Sequence, residues 1–380
     1  MELRCVDCAT TYPPVLLYRC QACGGILETV GDDGTPRVSL GESVTPLLRA
    51  RRIEASLPGF SGEIWLKDET RNPSGSFKDR LVGAAMGRAL ALGIGKVVCA
   101  SSGNAGAATA AYAARAGIPA VIVVPAHTPL GKVTQIAAYG AILLLVEGHY
   151  SRSYDLALAL AERHGFANLT TTFINPYAVA GLTAVGTELI EQLGGAPSHV
   201  LVPTGSGPLV KGVWQGIAAA GATTRLIAVQ AEGCAPIVQA FEAGAGEVTA
   251  WGTPQTIASG ISDPLIGYER DGTYTLKLVR ESGGLAVAVG DDELRQAMQL
   301  LARSEGVYAE PTGASPIAAL PRLLAQGALP PGSRVVCMVT GHGFKDGKAY
   351  QEMPVRTHKV TDPADIAAVA GLCEAALAAG

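Results

Sequence analysis

From "GEIWLKDE" at residues 62–69 onward, short apolar runs alternate with stretches of helical periodicity. The runs Ile64–Lys67, Lys96–Ala100, Ala120–Val124, Ala141–Val146, His199–Pro203, Leu226–Gln230 and Arg334–Thr340 are rich in Val, Ile and Leu. Most do not alternate apolar with polar residues, which is the pattern of parallel strands covered on both faces. Between them, Leu81–Leu92, Ala105–Ala116, Ser153–Arg163 and Leu182–Gln192 read as helices. This alternation predicts βαβ units and an α/β fold with one or two doubly wound sheets. Residues 31–43 are polar and read as a linker, and from Met353 a polar turn leads into an alanine-rich helix. No repeat of fixed period is present.

Composition adds bounds to that picture. A chain of 380 residues exceeds one ordinary core and suits two domains with an appendage. With 48% hydrophobic and 16% charged residues, most segments can bury surface. A net charge of −4 gives no general attraction to nucleic acid or acidic membranes, so neither is expected as a partner. The opening "MELRCVDC" lacks the basic-then-apolar layout of a secretory signal. No apolar run is long enough to span a bilayer, and a cytoplasmic protein is expected.

Eight cysteines divide unevenly. Cys99, Cys234, Cys337 and Cys373 are scattered, and disulfides among them are not expected in a reducing compartment. Cys5, Cys8, Cys20 and Cys23 form two C-x2-C pairs. Each pair makes a tight knuckle that aims two thiolates at one point, and two knuckles complete a tetrahedral cage for zinc. Four protein ligands would close the site, making its role structural. The alternatives are a ribbon that no longer binds metal, or four free thiols.

Three strand ends carry unusual loops, and in open parallel sheets ligands bind beyond such ends. "SSGNAG" places Ser101, Ser102, Gly103, Asn104 and Ala105 before an alanine helix, where N–H groups can meet an anion. A serine N-cap with a glycine turn is the competing reading. "PTGSGPL" sets Gly205, Ser206, Gly207, Pro208 and Leu209 as a phosphate cup at a helix start. A Walker loop is excluded because Lys211 lies between Val210 and Gly212, and a dinucleotide fingerprint fails because Val210 stands where its third glycine belongs. "TGHGFKD" ends the last predicted strand at Thr340, whose hydroxyl can point into a cleft. His342, in a glycine turn, reads as a structural hydrogen bonder rather than a base.

Lys67, Lys78 and Lys345 each precede an aspartate, but only Lys78 follows a Gly-Ser turn and opens a long, mostly apolar helix. Its amine is therefore the one expected in a buried cleft. Burial disfavours the ammonium and makes the amine nucleophilic toward an aldehyde. An aldehyde cofactor with one phosphate needs such a lysine and such a cup, and pyridoxal phosphate meets both requirements.

The elements "LKDETRNPSGSFKDR", "SSGNAG", "PTGSGPL", "EPTGASP" and "TGHGFKD" occur in the order found in threonine synthase and its relatives. Over about Glu42 to Asp346 the chain resembles these fold-type II pyridoxal-phosphate enzymes, the tryptophan synthase β-like group, and its cysteine ribbon is similar to one that many members carry. The resemblance implies that Lys78 carries the imine to the cofactor, with Phe77 packed beside the ring. It implies that Gly205–Leu209 bind the cofactor phosphate, Asn104 the pyridine 3-oxygen and Thr340 the region of the ring nitrogen. Ser101 to Ala105 would hold the carboxylate of a small amino-acid substrate, and Lys78, once released, would act as base at Cα. It further implies a larger domain of residues 40–82 and 186–350, a smaller inserted domain of 83–185, a ribbon of 1–30 and a helical tail of 351–380. A homodimer is expected by analogy.

The activity implied is conversion of O-phosphohomoserine to threonine and phosphate, which requires a second anion site. Where the family carries an "NPYRIEGQKT"-like run, this chain has Ala178, Ala180, Leu182 and Ala184. Each charged hydrogen bond lost from a clamp is worth about 1.5–3 kcal/mol. Lys132, Arg152 or Arg80 would have to supply a substitute. Without one, the expectation shifts to β-elimination or β-replacement on a serine-, threonine- or phosphoserine-like substrate, as in dehydratases or cysteate synthase. The "GSGPL" cup also fits such relatives. A non-enzymatic ribbon protein is disfavoured by the intact Lys78, Asn104 and cup.

Overall fold

The structure, a computed structural model, describes residues 1–32, 34–128, 130–147, 150–351, 357, 359–360 and 365–378. The chain forms two compact units, Met1–Asp346 and Gly347–Gly380. The second contains the helices Lys348–Gln351 and Ile366–Ala378, and the start of the turn expected at Met353 lies outside the described residues. Among the described residues no helix is long and apolar enough to cross a membrane.

Among the described residues the first unit holds three sheets. Six strands lie in the order Leu285–Val289, Arg225–Ala231, His199–Pro203, Arg334–Val339, Glu63–Asp68, Leu47–Arg49, parallel except for the last pair. Four parallel strands form a second sheet, ordered Ile142–Val146, Ala120–Pro125, Val97–Ala100, Ala167–Asn168. The ribbon is an antiparallel sheet of Thr11–Tyr12, Glu2–Cys5 and Leu27–Val30.

All seven strands expected from the apolar runs form, with ends that differ by at most one residue. Their side chains explain why: Val97, Val98, Cys99 and Ala100 are fully buried, as are Val200, Leu201 and Val202. Burying a Val or Leu contributes about 1.5–3 kcal/mol, so a slip that exposed such a strand would be costly. Leu47–Arg49 and Ala167–Asn168 are too short to leave a sequence signal, whereas the "LAVAV" of Leu285–Val289 left one that went unread.

The helix Lys78–Ala91 begins three residues before the expected Leu81. Asp79 in its first turn accepts the backbone N–H of Ser74 at 2.7 Å and also the Ser74 hydroxyl, which fixes the preceding loop to the helix start. The helix Asn104–Ala116 ends on Gly117 in the left-handed region, φ 69°. Both helices follow strands of the two larger sheets, Glu63–Asp68 and Val97–Ala100 respectively.

Candidate active site

Lys78 is half-buried at the first position of its helix, with the ammonium 4.5 Å from the centroid of the Phe77 ring. Its Nζ donates to Thr171 Oγ1 at 2.7 Å. Burial pushes its pKa down to about 8, against the opposing pull of Cys99, Asp263 and Glu310. The other two Lys-Asp lysines are occupied structurally. Lys67 is fully buried and donates to Glu188 Oε2 at 2.6 Å and to Thr45 O at 2.9 Å. Lys345 donates to Ser74 O at 2.9 Å and Gln135 Oε1 at 2.6 Å. Only Lys78 has a neutral hydroxyl as its hydrogen-bond partner.

The end of strand Arg334–Val339 packs directly on the lysine loop. Phe77 N–H donates to Thr340 O at 3.0 Å, and Ser76 bridges Gly341. The Thr340 side chain is buried, and its Oγ1 has no hydrogen-bond partner among the described residues. A buried hydroxyl without a partner costs about 1–3 kcal/mol, so a polar group is expected to meet it. His342 follows the structural reading: its N–H donates to Gly75 O at 2.9 Å and its Nδ1 accepts from Phe344 N–H at 3.2 Å.

Asn104 opens its helix after Gly103, and no side chain caps that end, so the serine N-cap reading is not what forms. Ser101 Oγ instead accepts from Gly103 N–H at 3.2 Å. Asn104 Nδ2 donates to Glu310 Oε1 at 2.8 Å. Glu310 is buried, 5% exposed, and burial raises its pKa to about 7 although Lys345, Asn104 and Lys78 oppose the shift.

The glycine cup follows strand His199–Pro203. Gly207 adopts φ 111°, and a Cβ there would fall 1.9 Å from Thr275 Oγ1. That threonine donates to Ser206 O at 2.6 Å. The N–H groups of Gly205, Ser206, Gly207 and Leu209 have no protein acceptor among the described residues. Pro208 starts the helix Pro208–Ala219, whose dipole adds positive potential at the same place. Donors in this arrangement fit a phosphate. Asp263, held by Tyr268 Oη at 2.7 Å, lies beside Gly205, and burial raises its pKa.

Phe77 is thus bonded to Thr340, Asn104 to Glu310, and Glu310 and Asp263 both act electrostatically on Lys78, with Gly205 beside Asp263. Thr171, Asp263 and Glu310 were not foreseen. Glu310 stood in the quoted "EPTGASP" without a role, and Thr171 is one of three consecutive threonines behind a two-residue strand.

Of the three candidate substitute clamps, Arg80 is not available. Arg80 is locked in a buried network, with Nε 2.7 Å from Glu69 Oε2 and Nη1 2.6 Å from Glu188 Oε1. Arg152 donates to Glu147 O at 2.9 Å, and the Lys132 side chain lies outside the described residues. Ala178 and Leu182 are buried, and Leu182 Cβ sits against the helix at Gly212, so these positions serve helix packing in this chain.

In the ribbon, the ligand atoms of Cys5, Cys8, Cys20 and Cys23 all lie within 4.8 Å of one another. Sulfur separations of 3.5 Å (Cys5 to Cys23), 3.6 Å (Cys8 to Cys20) and 3.4 Å (Cys8 to Cys23) approach the spacing of about 3.8 Å set by tetrahedral zinc–sulfur bonds of 2.3 Å. A Cβ at Gly25 would fall 2.7 Å from Cys5 Sγ, which accounts for a glycine behind the second knuckle.

Known proteins are similar to this chain in sequence and fold. Residues 38–341 match the family described as pyridoxal-phosphate dependent enzyme. A protein of Methanocaldococcus jannaschii named threonine synthase is 35% identical over 92% of this chain and 94% of its own length. One of the same name from Methanosarcina acetivorans is 32% identical over 91% and 92%. Among solved structures, maize serine racemase superposes with a TM-score of 0.69 at 26% identity, covering 82% of this chain and 92% of that one. With its sheets, its lysine-bearing helix start and its glycine cup in place, this chain belongs to the fold-type II pyridoxal-phosphate dependent enzymes.

Proposed function

We propose that the protein is a pyridoxal-phosphate dependent lyase of threonine synthase type, converting O-phosphohomoserine to threonine and phosphate. The observation that carries the reading is similarity to threonine synthases at about one-third identity over nine-tenths of both chains. In this reading Lys78 is the covalent anchor, the N–H groups of Gly205, Ser206, Gly207 and Leu209 hold the cofactor phosphate, Asn104 donates to the 3-oxygen, and the unpartnered Thr340 hydroxyl meets the ring nitrogen. A neutral hydroxyl at that nitrogen favours elimination over transamination. The cofactor supplies an electron sink.

The chain's own residues supply nucleophilicity, orientation and proton traffic. At pH 7 roughly a tenth of a lysine with a pKa of about 8 is neutral, enough to attack an aldehyde without a separate base. Thr171 Oγ1 holds the amine to one side of Phe77 until it is needed. Released from its covalent role, the same amine is placed to take the Cα proton of a bound amino acid. The start of the helix Asn104–Ala116 presents uncapped N–H groups to the substrate carboxylate. The sheet around Val97–Ala100, with residues 83–185, acts as the smaller inserted part, and the four cysteines hold a structural zinc.

A second reading, β-elimination from serine or threonine, is favoured by one observation: Arg80 is committed to Glu69 and Glu188 and offers no clamp for a γ-phosphate. One assay decides between them. The purified holoenzyme is expected to release inorganic phosphate from O-phosphohomoserine with threonine as product. Keto-acid release from serine or threonine, with O-phosphohomoserine inert, would overturn the threonine synthase assignment.

A further inference from the structure

Asp271 is fully buried in the first turn of the helix Glu269–Glu281, far in sequence from the lysine loop. Each of its acceptors serves a different part of the chain. Oδ1 accepts from Arg19 Nη2 at 3.0 Å, and Arg19 stands directly before Cys20 of the ribbon. Oδ2 accepts from Phe173 N–H at 3.0 Å, two residues after the Thr171 that holds the Lys78 amine. Its backbone carbonyl accepts from Thr275 Oγ1 at 3.0 Å, and that hydroxyl also lies 2.6 Å from Ser206 O in the glycine cup. The neighbouring Arg270 adds a second tie to the ribbon, 3.2 Å from Cys23 O.

We propose that Asp271 is a positioning residue, which sets the Thr171 loop and the Ser206 turn relative to each other and is itself held by Arg19 from the cysteine ribbon. It touches neither cofactor nor substrate. A buried carboxylate with two directed acceptors fixes both donors closely, because a charged acceptor strengthens each bond and any displacement would leave a charge without partners. The Phe173 bond sets where Thr171 Oγ1 sits against Lys78. The single proton of the Thr275 hydroxyl lies between Ser206 O and Asp271 O, with Ser206 O the nearer, and so ties the glycine cup to the first turn of the Asp271 helix. The ribbon thereby acquires a task in the cofactor site beyond its own fold. The inference rests on the reading that Lys78 and the cup hold pyridoxal phosphate.

The test measures pyridoxal-phosphate affinity by spectral titration, with the visible band of the saturated holoenzyme as a second readout. Arg19 is partly exposed, so Arg19→Met removes the tie without opening the core. It is expected to weaken cofactor binding at least fivefold and to alter the visible band of the saturated holoenzyme, together with a lowered thermal midpoint, because Asp271 stays buried with one charged donor fewer. Arg19→Lys is expected to recover most of the affinity. Asp271→Asn should weaken binding further, and Arg19→Met added to it should have no additional effect. Where Asp271→Asn does not fold, Thr275→Val replaces it, with the same direction expected. Arg19→Met within twofold of wild type in affinity, or effects of the two variants that simply add, would overturn the proposal. Lys78→Ala is the control. Loss of the covalent band there, with Arg19→Met silent, sinks this inference alone, whereas retention of the band sinks the site reading and this inference together.

Discussion

Asn104 donates its side-chain amide to Glu310 at 2.8 Å, joining the helix start after one sheet to the loop after residue 309 beside the other. The bond fixes which end of the amide is nitrogen. A glutamate this buried, with its pKa raised to about 7, is half ionised near neutrality. Above that point the carboxylate accepts from Asn104, and its charge opposes the lowering of the Lys78 pKa by burial. Below it, both effects fade.

The first prediction is therefore a pH dependence with a definite sign. Because the folded pKa of Glu310 lies above the ordinary value of 4.5, the folded state binds the extra proton, and the group's contribution to stability is lost as pH rises through 7. Glu310→Gln removes that loss, which is on the order of 3 kcal/mol at full ionisation. Thermal midpoints of variant and wild type should agree near pH 5, and the variant should be the more stable at pH 8. Equal midpoints at both pH values would refute the ionisation assigned to Glu310.

Lys78→Ala should abolish the roughly 410–430 nm absorbance that an imine of pyridoxal gives and leave any retained cofactor removable by dialysis. The anchor is singled out because Lys67 and Lys345 are spent on carboxylate and amide oxygens. A band that survives in the variant and stays attached on denaturation would place the anchor at another lysine.

Much of this site was legible in the sequence, for a physical reason. Asn104, Gly207 and Thr340 closely follow strand ends, and a strand buried on both faces announces itself by its unbroken apolar run, whereas Lys78 is marked by the Gly-Ser turn before an apolar helix. The residues that escaped notice act through tertiary partners. Thr171 matters only because Lys78 reaches it, and Glu310 only because Asn104 and Lys345 surround it. Ala178 and Leu182 carry a second role that the sequence did not announce. The charges are absent there as read, and the positions prove to be buried in packing, which residue type at a helix boundary does not announce. Arg80 shows the same limit, since an arginine two residues from the anchor proves to be a core ion.

Arg80→Met is expected to leave substrate KM nearly unchanged and to destabilise the protein by about 3–5 kcal/mol, measured by denaturant unfolding. Removing the guanidinium leaves Glu69 and Glu188 buried, with only Lys67, Asn72 and Thr45 to answer two carboxylates. A tenfold rise in KM for a phosphorylated substrate at unchanged stability would instead return Arg80 to the role of substrate clamp.

The ribbon supplies the last prediction. Replacing Cys20 and Cys23 by serine should release zinc, measured as the metal-to-protein ratio, because two hydroxyls cannot take the place of two thiolates at a tetrahedral site. Without the metal the knuckle loses the bonds that hold its turn, and the first thirty residues should become the earliest cleaved in limited proteolysis. Arg19 lies between Tyr18 and Cys20, and Tyr18 Oη in turn donates to Phe166 O at 3.2 Å and accepts from Asn168 N–H at 2.9 Å. Loosening the knuckle should then weaken cofactor binding by a factor similar to that of Arg19→Met, while kcat at saturating cofactor stays within a few-fold of wild type. A zinc ratio near one that survives the double substitution would remove the metal assignment. A kcat that collapses with cofactor bound and the body folded would show that the ribbon serves the chemical step itself.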